Sequence, residues 1–241
     1  MTTSPPIPGQ RWAALGEVGT AVHNHIIRLQ RGYFADRSDA VATIARLRRG
    51  VGRSVIEMPD LWGLTGTEAL YDAYAVAQSS PEAEEQLRRA EEAAHTAVTL
   101  WALHQQSHHR AGMHQRHGHE LGAAVRRLMP KNELDDSIRK RFVRLGTANT
   151  PTVLAQRLRD LVVLLRREAI PLDYGVLADQ LELWQHPGGP EQVRGSWGRA
   201  FHSYRTTGNS SADQTDPAGA DHPSTTAGPD KSDITALKDA S

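Results

Sequence analysis

The sequence predicts an all-α fold: a helical bundle of about eight helices with a disordered C-terminal tail. Three observations carry that prediction. Apolar residues recur at steps of three and four along most of the chain, the period of a helix with one buried stripe. No alternating apolar run is bounded by hairpin turns, so no strand is expected. Two pairs, Ser80-Pro81 and Thr150-Pro151, have the cap-then-proline form of a helix start. The expected organisation is a flexible lead at 1–9, one helical domain at 10–205 and an acidic tail at 206–241.

Taken in order, Gln10 to Tyr33 reads as a helix with Val18, Val22, Ile26, Leu29 and Tyr33 on one side. Trp12 and Leu15 stand at its start, and His23 and His25 read as core or edge histidines. Ser38 is read as the N-cap of a short helix with Val41, Ile44, Ala45 and Leu47 inward. Arg48 and Arg49 suit the negative end of its dipole, and Gly50 suits a C′ position. Residues 50 to 66 are broken by Gly and Pro and read as a loop with a short helical turn that packs Trp62 inward. Thr67 caps a helix carrying Leu70, Tyr71 and Tyr74. From Ser80 a long helix runs to about Gln106, with Leu87, Ala90, Ala94, Ala97, Val98 and Trp101 as its stripe. At 1.5 Å per residue it spans roughly 40 Å.

Six of the twelve histidines follow: His104, His108, His109, His114, His117 and His119. The glycines at 112 and 118 favour a polar loop, whose histidines gain charge beside a polyanion. His104 and His108 share a helix face, but no His-Glu-x-x-His and no clustered carboxylates accompany them, so metal ligation is the weaker reading. A short helix from Leu121 to Met129 leads to two helices that meet at a turn. Leu134, Ile138, Phe142 and Leu145 mark the first, and Leu154, Leu158, Leu161 and Leu165 the second. Asp173 caps the next helix, with Tyr174, Leu177, Leu181 and Trp184 inward. A last helix buries Val193, Trp197, Phe201 and Tyr204.

Charge is distributed unevenly. The 241 residues are neutral overall, with 28 basic and 28 acidic side chains. The stretch from Arg126 to Arg167, however, holds eleven Lys/Arg against four acids. The tail holds six Asp and two Lys. A basic domain with a solvated acidic tail is expected, and a concentrated basic surface is the footprint of a polyanion partner. There is no cysteine, which excludes disulfides and thiolate metal sites and permits a cytoplasmic location. Neither a signal peptide nor a membrane-spanning run is visible.

No catalytic constellation emerges. Gly195-Ser196-Trp197-Gly198 lacks the spacing and preceding strand of a nucleophile elbow. Asp135 and Asp136 stand at a helix start, where anions are favoured. Asp173 and Asp179 fit capping and solvent roles. No enzyme activity and no cofactor are expected.

The segments RKRFVRLGTANTPTVLAQRLRDLVVLLRREAIPLDYGVLADQLELW and VRGSWGRAFHSY come in a specific order. With Leu47-Arg48-Arg49-Gly50 and the long helix ending at Trp101-Ala-Leu-His-Gln, they resemble the CasB family, the small subunit of the type I-E CRISPR surveillance complex Cascade. The resemblance covers residues 10 to 205. It implies a non-catalytic, all-α subunit present in two copies beside the repeat subunits that carry the guide RNA, with the large subunit nearby. It further implies a positive surface along guide RNA and target DNA that stabilises the displaced DNA strand of the R-loop. The residues implied are Arg139, Lys140, Arg141 and Arg144, then Arg157 and Arg159, with Arg46, Arg48 and Arg49 from the first half. The histidine-rich segment and the acidic tail are outside the family pattern. Two other functions remain open at this level: a helical scaffold that docks acidic protein faces, and a metal-dependent hydrolase built on the histidine segment.

Overall fold

The computed structural model describes residues 14–74, 80–130 and 133–204; the expected lead at 1–9, Trp12 and the expected tail at 206–241 lie outside them. Among the described residues there are nine α-helices, against about eight expected. They are α1 (Glu17–Phe34), α2 (Ser38–Leu47), α3 (Glu68–Tyr74), α4 (Pro81–Gln105), α5 (Leu121–Arg127), α6 (Asp136–Gly146), α7 (Pro151–Arg167), α8 (Tyr174–Trp184) and α9 (Gly189–Ser203). Single 3₁₀ turns span residues 48–50 and 59–61.

Helix α4 is the axis of the bundle. Ser80 starts it as the sequence predicts, its hydroxyl accepting the Ala83 N–H at 3.3 Å. The expected stripe is buried from Ala90 onward, but burial in the second half extends well beyond it. From Ala93 to Ala102 every residue is buried, including His95, Thr96 and Thr99. A helix buried on all sides is a core helix. It is packed by α1, α2, α3, α7 and α8. Its alanines leave no bulk, so these neighbours approach closely.

The first helix has no capping side chain of its own. Asp179 of α8 supplies one, its carboxylate accepting the N–H of Gly16 at 2.9 Å and of Gly19 at 2.6 Å. From the sequence Asp179 fits a capping or a solvent role. It lies against the positive end of α1, and burial raises its pKa. The two helices are nearly in backbone contact here, since a Cβ on Gly19 would lie 2.6 Å from the Gly175 carbonyl. Another local assignment shifts by one residue. Arg37 is the N-cap of α2, and Ser38 opens the helix without a capping hydrogen bond.

Residues His114–His119 form an extended segment, β1, bridging to Leu172 in parallel at each end. The Leu172 N–H donates to Met113 and the Asp173 N–H to His119, both at 3.0 Å. No strand was expected, because this segment has no alternating apolar pattern. Tertiary contacts rather than propensity hold it extended. The C-terminal helices follow the predicted pattern closely. Thr150 caps α7, Asp135 caps α6 and Asp173 caps α8, each through its side chain. The stripes Leu154/Leu158/Leu161/Leu165 and Val193/Trp197/Phe201 are buried.

Candidate nucleic-acid interface

The basic site begins where α2 ends. Leu47 is fully buried, and the chain tightens into the 3₁₀ turn Arg48–Gly50. Gly50 is not in a left-handed conformation, so the predicted C′ role is not its reason for being glycine. Close approach is. A Cβ there would meet Leu61 at 2.5 Å, Thr99 at 3.0 Å and His95 at 3.3 Å. The turn therefore sits directly on α4, with Leu61 wedged beneath. Two residues on, Gly52 has φ +78°, a conformation that favours glycine, and it redirects the chain so that Arg53 returns to the same face.

Across from this turn stands α7. Arg48, Arg49 and Arg53 line one side of a concavity of about 620 Å³, and Gln156, Arg159 and Asp160 line the other. Three residues predicted from distant parts of the sequence, Arg48, Arg49 and Arg159, thus meet in one place. Arg53 joins them. The sequence reading missed it because it ended the basic run at Gly50. Four guanidiniums face one carboxylate, so the concavity is strongly positive. Among the described residues no hydrogen bond or ion pair engages the side chains of Arg48, Arg49 or Arg159, and Arg53 touches only the Met58 sulfur at 3.1 Å. Planar guanidiniums without internal partners are suited to phosphate oxygens.

The remaining predicted cations lie elsewhere. Arg139, Lys140, Arg141 and Arg144 project from α6 and are exposed; none lines the concavity. Lys140 has only a loose contact with Asp136 at 3.9 Å, both side chains largely in solvent. Phe142 fixes this helix by stacking on Phe201 of α9, ring centres 5.2 Å apart. Leu134, expected inward, is 58% exposed, and Val143 is 54% exposed. Arg157 turns to the end of α6, donating to the Arg144 carbonyl and, at 3.0 Å, to the Thr147 hydroxyl. Arg46 donates to the Asp60 carbonyl at 2.7 Å and so anchors the loop after the basic turn.

That loop brings another correction. Trp62, expected inward, is 65% exposed. Leu61 occupies the space beneath Gly50, and the following residue of the tight turn points away from it.

The histidine-rich segment is less of a loop than expected. His104 and His114 are buried, and burial lowers their pKa to about 3 and about 4. Neither adds positive charge at neutral pH. The Tyr174 N–H donates to His114 Nδ1 at 3.0 Å, which leaves His114 Nε2 to donate to His23 Nδ1 at 2.8 Å. His104 pairs with the Tyr174 hydroxyl at 2.9 Å, while His108 Nε2 donates to the Arg166 carbonyl at 2.9 Å. His108 lies beyond the end of α4, so the two histidines expected to share a helix face do not, and different partners engage them. Among the described residues no three His, Asp or Glu side chains are grouped to hold a metal ion. No helix there is long and apolar enough to cross a membrane.

Comparison with known proteins gives two findings. The family model of CRISPR-associated protein Cse2 matches residues 43–202. The crystal structure of CasB from Thermobifida fusca is similar, with a TM-score of 0.69 and 50% sequence identity, covering 79% of this chain and 100% of that one. A search of curated proteins finds no match. The matched span runs from α2 to α9 and includes the whole basic concavity.

Proposed function

Because the chain belongs to the CRISPR-associated Cse2 (CasB) family, we propose that it is a non-catalytic subunit of Cascade that clamps nucleic-acid backbone without reading sequence. The observation that carries the clamp is the meeting of Arg48, Arg49, Arg53 and Arg159 on one concave face. In an RNA-guided complex, base pairing with the guide reads the target. Forming the R-loop is a near-balanced exchange of one duplex for another, so contacts to phosphates tip it. Arginine supplies such contacts with no dependence on base identity. The strands held are guide RNA, target DNA and the displaced DNA strand, and the gain is in keeping the displaced strand apart. Repeat subunits, the large subunit and a second copy of the chain are the protein partners this role entails. Arg46 and Arg157 hold the surface in shape.

A second reading applies to α6. Exposed Leu134 and Val143 beside Arg139, Lys140, Arg141 and Arg144 favour a protein-docking face on that helix, as in a scaffold without direct nucleic-acid contact. One experiment separates the two. Single-stranded DNA binding is measured across a salt series, with and without EDTA. Each phosphate neutralised on a single strand contributes about −0.7 to the slope of log affinity against log salt. Changing Arg48, Arg49 and Arg159 to Ala is expected to make the slope shallower by about 2. EDTA is expected to have no effect. The quadruple Ala variant at Arg139, Lys140, Arg141 and Arg144 tests α6. A shallower slope assigns that helix to nucleic acid, and an unchanged slope with loss of assembly assigns it to protein. No change in slope for the Arg48/Arg49/Arg159 variant would overturn the clamp.

A further inference from the structure

Four tryptophans lie among the described residues, and three are core: Trp101 is 0%, Trp184 6% and Trp197 2% exposed. Trp62 is 65% exposed, and its neighbour in the loop, Ile56, is 75% exposed. An indole left in water forgoes a large burial gain, so its setting matters. The ring is held. Its Nε1–H donates to the Val55 carbonyl at 3.2 Å, and the Val55 N–H donates to Glu92 of α4 at 3.1 Å. Arg46 ties the same loop through the Asp60 carbonyl, and Glu57 ties it through the Ser54 N–H at 3.2 Å. On the chain Trp62 directly follows Leu61, the residue wedged beneath the Arg48–Gly50 turn.

Arg46, Arg48, Arg49 and Arg53 precede Trp62 in the same stretch, with Glu57 and Asp60 between them and it and Glu92 of α4 behind Val55; Trp62 itself does not line the concavity. A fixed, solvent-facing indole one residue from Leu61, which packs under the turn carrying Arg48 and Arg49, has with those guanidiniums the two parts of a single-strand site, a face for a base and charge for its phosphates. We propose that Trp62 is a stacking platform for an unpaired base of a single-stranded nucleic acid whose backbone crosses the Arg48/Arg49/Arg53/Arg159 concavity. The inference rests on the clamp reading and deepens it, since stacking selects unpaired strands while remaining indifferent to sequence. Every base has a π face, so no base-specific contact is required.

The test uses the full chain and two strands of equal length, oligothymidylate and an abasic oligonucleotide with the same phosphates. Trp62→Ala is expected to weaken oligothymidylate binding roughly tenfold, the scale of one lost base–aromatic stack. The salt slope should not change, because the indole neutralises no phosphate. Trp62→Phe should retain most of the affinity. The abasic strand should bind wild type and Trp62→Ala equally. Strand binding should quench tryptophan fluorescence in wild type and lose that quench in Trp62→Ala. Equal oligothymidylate binding by wild type and Trp62→Ala, with binding still lost in the Arg48/Arg49/Arg159 variant, would overturn the platform and leave the clamp standing. Loss of protein subunits from the assembled complex, with strand binding intact, would make Trp62 a protein contact and also overturn it. Failure of wild type to bind oligothymidylate at low salt would overturn both.

Discussion

Asp173 shows how much one side chain organises. Its carboxylate caps α8 through the N–H groups of Gly175 and Val176, at 3.1 and 3.3 Å. The same carboxylate accepts from Arg116 at 2.7 Å and from the His117 N–H at 3.0 Å, and so fastens β1 to the start of α8. The first role is local and is written in the sequence; the second depends on residues more than fifty positions away. The side chain is 1% exposed, and Arg116 is mostly shielded. Removing one partner of a buried pair leaves a charge and several donors uncompensated, at a cost of about 3–5 kcal/mol. Asp173→Ala is therefore expected to lower Tm by roughly 6–20 °C in thermal unfolding. Asp173→Asn, which keeps an acceptor for the cap, should lose less. A loss below about 1 kcal/mol would mean that the cap alone matters.

At the scale of elements, α6 and α7 divide the basic charge between shape and binding. Arg157 and Arg159 are two positions apart on α7 and so project in different directions. Arg157 reaches the Arg144 carbonyl and the Thr147 hydroxyl at the end of α6, where a cation complements the helix dipole. Arg159 faces the concavity. Arg157→Gln is expected to cost about 1 kcal/mol in denaturant unfolding, with little change in the salt slope of strand binding. Arg159→Gln should do the reverse: stability within about 0.5 kcal/mol of wild type, and a slope shallower by about 0.7. If both variants change the slope equally, the division of roles is wrong. Periodicity made α7 and α9 legible, and for α7 the Thr150 cap did so as well. Helix α6 was legible as a helix but not in its burial, since only Leu145 of the predicted stripe is fully covered.

For the whole molecule, the histidines set the response to acid. Burial lowers the pKa of His23, His25, His95, His104, His114 and His119, spread from α1 to the end of β1. In the unfolded chain each titrates near 6.5. Below that pH the unfolded state binds protons that the folded state refuses, so the stability these groups contribute is full above about 6.5 and declines as pH falls. For His104 and His114 the decline continues toward about 3 and about 4. Each such group adds up to about 1.4 kcal/mol per pH unit to the slope. The half-buried carboxyls of Glu92, Glu120 and Asp179 are raised by desolvation and act in the opposite sense. Chemical denaturation at successive pH values should show stability falling from pH 6.5 downward. The profile of His114→Gln should be flatter than that of wild type, whatever its absolute stability. Equal slopes would show that His114 is not held neutral by the fold.

The sequence alone carried the helical class, most helix starts and the inward stripes of α1, α7, α8 and α9. These depend on short-range chemistry: spacing along 3.6 residues per turn, a hydroxyl or carboxylate over an open N–H, a proline where no donor is needed. The order of the C-terminal motifs carried the family, while the concentrated charge from Arg126 to Arg167 supplied only Arg159 to the basic concavity. What only the tertiary structure decided involves residues distant in sequence or crowded in space. Asp179 caps a helix that begins 162 positions before it. The C-terminal half of α4 is covered on every side, so no stripe could describe it. Arg53 joins Arg159 because Gly52 turns the chain and Gly50 lets it lie flat on α4. Trp62 faces solvent because Leu61 fills the space below. Hydrophobicity states that a side chain gains by burial; which side chain is buried is decided by the room left for it.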